Sequence, residues 1–130
     1  MKYLCLVYGA EDGFHDLPDS PADDECQAYA DTLQSDGRLL AAEPLESVRT
    51  ATTIRVRGGR LTVTDGPFAE TKEQLMGFYL IQARDLNEAI QLAGQVPAAR
   101  SGCVEVRPVR RLDLTAAGRM GTRPGGEASA

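Results

Sequence analysis

One histidine and three cysteines are all the imidazole and thiol groups in this chain of 130 residues. Cys5, Cys26 and Cys103 are odd in number and no two lie closer than 21 residues. No CxxC and no cysteine–histidine ligand spacing occurs, which argues against a zinc centre or a disulfide framework. Each cysteine sits among apolar residues, as a small core residue does. There is no GxGxxG, no GxxxxGK[ST] and no GxSxG, so no phosphate-cradling loop or nucleophile elbow is expected. No run approaches the ~18 apolar residues of a membrane span. Met1-Lys2 leads straight into a strand-like segment, and no signal peptide is expected. Positive charge is also short: 14 Lys+Arg face 19 Asp+Glu, a net of −5. That balance argues against a general nucleic-acid binder and against an anionic membrane surface. Together these absences predict a reduced, cytoplasmic protein with no nucleic-acid or membrane partner, no cofactor and no metal.

The charge is unevenly spread. Residues 1–106 carry a net of −8, whereas residues 107–130 hold five arginines and two acids, a net of +3. No aromatic ring interleaves with those arginines, so the stacking half of a single-strand site is missing and the stretch reads as a solvated tail. The length suits one domain that buries its own core. A hydrophobic content of 42% and a charged content of 25% are ordinary for a globular protein.

"KYLCLVYG" (Lys2–Gly9) is a short apolar run closed by glycine and reads as a buried strand. Ser20-Pro21 predicts a helix start with Ser20 as the cap, and Asp23, Asp24 and Glu25 favour the positive end of the helix dipole. Ala22, Cys26, Tyr29 and Leu33 form its apolar stripe, and Gly37 stops it. Arg38–Ser47 reads as a second strand, at an edge or bulged because it passes through Pro44. Thr50–Arg57 and Arg60–Asp65 are β-branched runs joined by Gly58-Gly59, a two-residue hairpin signal. Ile54 and Val56 alternate with Arg55 and Arg57, so one face of that hairpin is wet.

Leu75–Ala83, apolar on both faces, reads as the central strand. Asp85 caps a second helix, with Glu88 placed for a capping box and Leu86, Ala89, Ile90 and Ala93 as its buried stripe. Pro97 ends it. Cys103–Val109 is the last strand. Beyond Leu114 the chain is small, polar and Gly-rich. The domain is therefore assigned to residues 1–112 and a disordered tail to 113–130.

The order is β-α-β, a hairpin, then β-α-β. With the hairpin as an insertion this is an α+β, ferredoxin-like βαββαβ pattern. Both helices would cover one face of an antiparallel sheet and leave the other bare. A bare apolar face is a predicted interface, and a homodimer packed sheet on sheet would cover it.

Between the hairpin and the central strand stands "TDGPFAETKEQ" (Thr64–Gln74). Extended to "TDGPFAETKEQLMGFYLI", it strongly resembles the signature of the YCII-related proteins of the DGPF type. The resemblance runs on through "KYLCLVYG", "TATTIRVRGGRLTVTDGPF" and "ARSGCVEVRPV", covering about residues 2–110. It implies a small bacterial protein, ferredoxin-like in each protomer and paired into a dimeric α+β barrel. It implies no particular reaction. Members are often encoded beside extracytoplasmic-function sigma factors, which implies a regulatory or stress setting. Some YCII-type relatives have a histidine–aspartate site, which the lone His15 does not match.

Within that frame Asp65, Glu70 and Lys72 are the candidate catalytic residues. Asp65 is an acid or base if a cavity desolvates it, or else the cap of its own turn. Glu70 and Lys72 orient a polar ligand, or else form a weak surface pair. Tyr8, His15, Phe68, Tyr79 and Arg107 are candidate pocket residues: Phe68 as a wall or a plug of the core, Tyr as a donor to a carbonyl, Arg as a carboxylate clamp. His15 with Asp12 and Asp16 is too weak a set to predict a metal. Two readings remain. One is a cofactor-independent enzyme using acid–base chemistry on a small molecule in a barrel cavity. The other is a non-catalytic ligand-binding or protein-interaction module linked to sigma-factor control. The first expects a desolvated carboxylate or tyrosine in a closed cavity, the second an exposed apolar patch elsewhere.

Overall fold

The computed structural model of the chain describes residues 1–115. In chain order it holds β1 (Lys2–Gly9), α1 (Asp23–Ser35), β2 (Leu39–Pro44), β3 (Thr52–Arg57), β4 (Arg60–Asp65), β5 (Gln74–Gln82), α2 (Leu86–Ala93) and β6 (Cys103–Pro108). Short 3-10 turns cover Phe14–Asp16, Val48–Thr50 and Pro97–Arg100. The expected tail falls almost wholly on residues 116–130, outside the described residues.

Four strands form one sheet in the order β2-β5-β1-β6, antiparallel throughout. Because β1 and β2 both oppose β5, they are parallel to each other and connected through α1. β5 and β6 flank β1 in the same way and are connected through α2. The result is a mixed α+β fold with two interleaved crossovers. β5 is interior, as its two-sided apolar sequence predicts. β2 is an edge, and its bulge falls between Leu39 and Ala41, near its start rather than at Pro44.

Strand alternation places Tyr3 and Cys5 of β1, Ile81 of β5 and Val104 and Val106 of β6 on one face. There they meet Leu33 of α1 and Ala89 and Ala93 of α2 in the core. Tyr29 of α1 donates its hydroxyl to the Leu92 carbonyl at 2.6 Å and meets Tyr79 edge to face with ring centroids 5.3 Å apart. This joins both helices to β5. The opposite parity (Leu4, Leu6, Phe78 and Leu80) is half-buried and lies outside that core.

The helix ends depart from the sequence expectation in detail. Ser20 does not cap α1. Ala22 is the N-cap, without a side-chain bond, and its carbonyl accepts from Glu25 and Cys26. Pro21 biases Ser20 toward extended backbone, which delays the helix by two residues. The buried Ser20 hydroxyl has no partner, and Ala22 is exposed instead of joining the stripe. The C-terminus follows the glycine signal: Gly37 has φ 73°, its N–H reaches Gln34 O at 3.0 Å, and Arg38 N–H reaches Leu33 O at 2.9 Å, a Schellman pair.

In α2, Asp85 accepts from Glu88 N–H at 2.9 Å as expected, but the Glu88 carboxylate reaches the N–H of Arg84 (2.7 Å) instead of the cap residue. Leu86 and Ile90 are not buried; they are 48% and 52% exposed. The sheet is met by Ala89 and Ala93; Ile90 stands about 100° around the helix from Ala89, and Leu86 is the first residue of the helix. Cys103 is likewise exposed, unlike buried Cys5, because it takes the outward parity of β6.

The hairpin β3–β4 forms a sheet of its own. Gly58 and Gly59, at φ 56° and 77°, build the doubly left-handed turn that two-residue hairpins need. Val48–Thr50 winds into a 3-10 turn under the Ser47 cap, so β3 starts at Thr52 and not at Thr50.

Candidate functional site

An open cleft of about 760 Å³ lies between α1 and the β2–β5 side of the sheet. Its floor is Leu39, Ala42, Gly77 and Tyr79, its helical wall Cys26, Ala30 and Gln34, and its mouth Glu11, Phe14 and His15. Phe14 reaches the mouth because Gly9 has no side chain; a Cβ there would stand 2.7 Å from the Phe14 ring and 2.7 Å from Met76 Sδ. Gly77 lets β2 close down in the same way, since a Cβ would meet Glu43 O at 2.9 Å.

Glu11 organises the mouth. Its carboxylate accepts from Ser47 Oγ at 2.7 Å and Val48 N–H at 2.9 Å, while its own N–H donates to Gln74 Oε1 at 2.8 Å. The loop after β1 is thereby latched to the loop after β2 and to the start of β5. The Ser47 hydroxyl bond, then the Val48 amide, hold the Glu11 carboxyl below the usual glutamate value. A carboxylate stabilised as an anion is a poor proton acceptor, so Glu11 serves as an anchor. Burial pushes the Tyr79 phenol up. Burial also raises the Cys26 thiol, with Asp23 and Glu25 adding to it, which makes this sulfur a poor nucleophile. The cleft is lined by the acidic residues Glu11 and Asp23 and by no lysine or arginine, while Glu43, also at its β2 edge, is in register with Phe78 and so takes the outward side of the sheet. Its chemistry is that of an apolar slot with a negative rim.

A smaller cleft of about 310 Å³ lies on the other side of Glu11, bounded by Asp12, Arg49, Pro67 and Glu70. Arg49 and Asp12 face each other there at 3.5 Å, both largely in solvent. Among the described residues no three His, Cys, Asp or Glu side chains converge to hold a metal ion. No helix among them is long and apolar enough to cross a membrane.

The family model for the YCII-related domain matches residues 1–113. The chain belongs to the YCII-related family. It is also 45% identical over 75 residues to an uncharacterized protein of Rhizobium meliloti (strain 1021), a match covering 56% of this chain and 60% of that protein. The chain thus spans less than two thirds of the curated relative it matches.

In this YCII-related chain the candidate residues do not form one site. His15 and Tyr79 share the large cleft, and Glu70 lines the small one. Phe68 lies outside the residues lining these two clefts and outside the core; it is 77% exposed. Asp65 is exposed and paired in register with Thr52, and Lys72 is exposed in the loop. The turn after Asp65 is held by others: Gly66 N–H donates to Ala51 O at 2.7 Å and Thr53 Oγ1 donates to Gly66 O at 2.8 Å.

Tyr8 and Arg107 lie on the outward face of the sheet with Cys103 and Glu105. Burial first, then the Glu105 carboxylate, push the Tyr8 phenol up, and Arg107 partly opposes them. Cys103 points at the Glu73 carboxylate, 3.6 Å away. Sequence reasoning missed Glu11, Ser47 and Gln74 as a set. Each looks like an ordinary loop or strand-end residue, and their partners are 36 to 63 positions distant in the chain. The acid-rich start of α1 was legible, but only as a dipole match.

Proposed function

We propose that this protein binds a small amphipathic molecule, neutral or cationic, in the cleft beneath α1. The observation that carries the reading is an apolar slot of about 760 Å³ whose lining includes the acids Glu11 and Asp23 and no lysine or arginine. Such a slot takes an aromatic or aliphatic body, and the rim favours an ammonium or a hydrogen-bond donor. With Glu11 committed to its latch and the Cys26 thiol raised, the residues support recognition better than bond-making. The test is a protein-observed NMR titration with arylalkyl- and alkylamines beside neutral alcohols of the same shape. Amines are expected to shift the amides of Ala30, Ala42 and Gly77, and Asp23→Asn to weaken amines selectively. No shift at these amides at millimolar amine, or equal binding of anionic analogues, overturns the reading.

We further propose a ferredoxin-like protomer of the DGPF type that works in the cytoplasm as a homodimer, with the outward sheet face buried against a second copy to make an α+β barrel. Half-buried Leu4, Leu6, Phe78 and Leu80, which no helix among the described residues covers, support this. One observation favours an enzymatic second reading. Tyr8, Cys103, Glu105 and Arg107 line the β6 edge of that face, with Tyr8 hydrogen-bonded to Glu105, where a facing copy would roof them. In that reading Tyr8 and Glu105 exchange a proton with a small substrate inside the barrel, and the Tyr8→Phe variant loses turnover while still dimerising. The earlier triad Asp65, Glu70 and Lys72 then acts only at the barrel's edge, and the link to sigma-factor control is a matter of setting.

A further inference from the structure

The hairpin β3–β4 carries two faces of opposite character. Ile54 opposes Val63 and Val56 opposes Leu61, so four aliphatic side chains share one face. They are 58–64% exposed. The other face presents Arg55, Arg57 and Arg60. No acid pairs with these guanidiniums among the described residues, and Arg57 reaches only the neighbouring Val56 carbonyl. Among the described residues nothing else covers the aliphatic stripe: all of β4, and all of β3 except Thr53, is exposed. The base of the hairpin is by contrast fixed. Ala51, Thr53 and Gly66 bond one another across it, and the adjacent Ser47–Val48 segment is latched to Glu11. At that base Phe68 is the most exposed large apolar residue described.

We infer that this hairpin is an intermolecular arm whose aliphatic stripe packs against a second copy of this chain, at the rim of that copy's open sheet face. The inference rests on the homodimer proposed above and adds the element that clasps it. The occupant is argued from the chain itself. Residues 52–64 contain three arginines and no acid, whereas the rest of residues 1–115 contains 18 acids against nine cations. On the open face itself Glu43 and Glu105 stand beside Lys2 and Arg107, so the attraction is one of net charge. A second copy therefore supplies the opposite charge that draws the arm in, and charge of this kind acts mainly on encounter and register. It also supplies an apolar surface, the half-buried leucines of the open face. The reach fits: six-residue strands at about 3.3 Å per residue extend about 20 Å, and four strands spaced about 4.8 Å apart span about 14 Å. The fixed base means that little ordering entropy is lost when the arm docks.

The test is sedimentation of the full chain across a concentration series, at low and high salt, for three proteins: the native chain, the arm variant Ile54→Thr/Val63→Thr, and the face variant Leu4→Lys. Threonine keeps the β-branched shape, so the hairpin should survive, and circular dichroism checks that each variant is folded. The expected result is a salt-weakened dimer whose dissociation constant rises roughly tenfold or more in the arm variant. In the native chain, hydrogen exchange at Ile54–Val56 and Leu61–Val63 should slow as concentration rises. A dimer that the arm variant leaves unchanged, with exchange independent of concentration, overturns the arm and spares the sheet-face dimer. A dimer broken by the arm variant and untouched by Leu4→Lys does the reverse. A chain that stays monomeric throughout overturns both, and an arm that instead binds anionic vesicles assigns it to a lipid surface.

Discussion

β1 with β5 and β3 with β4 are both antiparallel pairs rich in apolar and β-branched residues, yet their side chains meet different surroundings. In the first pair Tyr3, Cys5 and Ile81 are sealed under two helices, Ile81 completely. In the second, Ile54, Val56, Leu61 and Val63 remain more than half exposed. Local alternation is sufficient to make a strand and to sort its faces in both places. Coverage is another matter, since it depends on which elements the chain path lays over each face. The hairpin is an excursion between β2 and β5 that no helix accompanies. Among the described residues nothing covers its aliphatic face.

Truncation should separate the two regions most sharply. Ile81→Ala is expected to lose about 2–5 kcal/mol of unfolding free energy in urea titration, through lost transfer energy and a residual cavity. A loss under about 1 kcal/mol would mean that the sheet is as loosely covered as the hairpin. A smaller effect belongs to the latch at the junction of the two regions. Glu11→Gln should cost about 1 kcal/mol and speed hydrogen exchange at Val48, because the charge-assisted bonds weaken but the site stays solvated.

The same latch sets a pH dependence. The Glu11 carboxyl is held below its ordinary 4.5 by Ser47 and Val48, and a depressed carboxyl contributes stability at pH values above its unfolded pKa. That contribution fades as pH falls below about 4.5 toward the folded value. Acid titration followed by Val48 exchange should show it in the native chain and lose it in Glu11→Gln. Of similar size, Asp85→Ala should cost about 1 kcal/mol by removing the cap of α2.

The smallest expected effect is the most diagnostic. Ile54→Ala, measured at a concentration low enough for monomer, should change stability by no more than about 0.5 kcal/mol. A loss comparable with that of Ile81→Ala would show that the hairpin is braced by its own protomer, and the comparison would collapse.

Much of this was legible in the chain. Gly58-Gly59 and Gly37 announced their turns because a left-handed backbone excludes most other residues. Asp85 announced its cap, and the double-sided apolarity of Leu75–Ala83 announced an interior strand. Ser20 misled because a serine before proline looks like a cap, while proline constrains the residue before it. Leu86 and Ile90 misled because a helix eight residues long allows several apolar arcs, and contact with the sheet selected the alanines. The candidate site was the least legible part. The "TDGPF" loop stands out in the sequence, but its aromatic ring faces solvent, and the large cleft is lined from α1, β2 and β5 instead.

The sequence by itself determined the local conformations, the net charge and the family, because turns, caps and alternating faces are settled by residues within a few positions of one another. Only the tertiary structure decided which faces are covered, which carboxylate is tied down, and where a cleft opens. Those outcomes depend on partners such as Glu11 with Ser47 and Tyr29 with Leu92, brought together from 36 and 63 residues apart. Their meeting is a property of the chain path and cannot be read from any single segment.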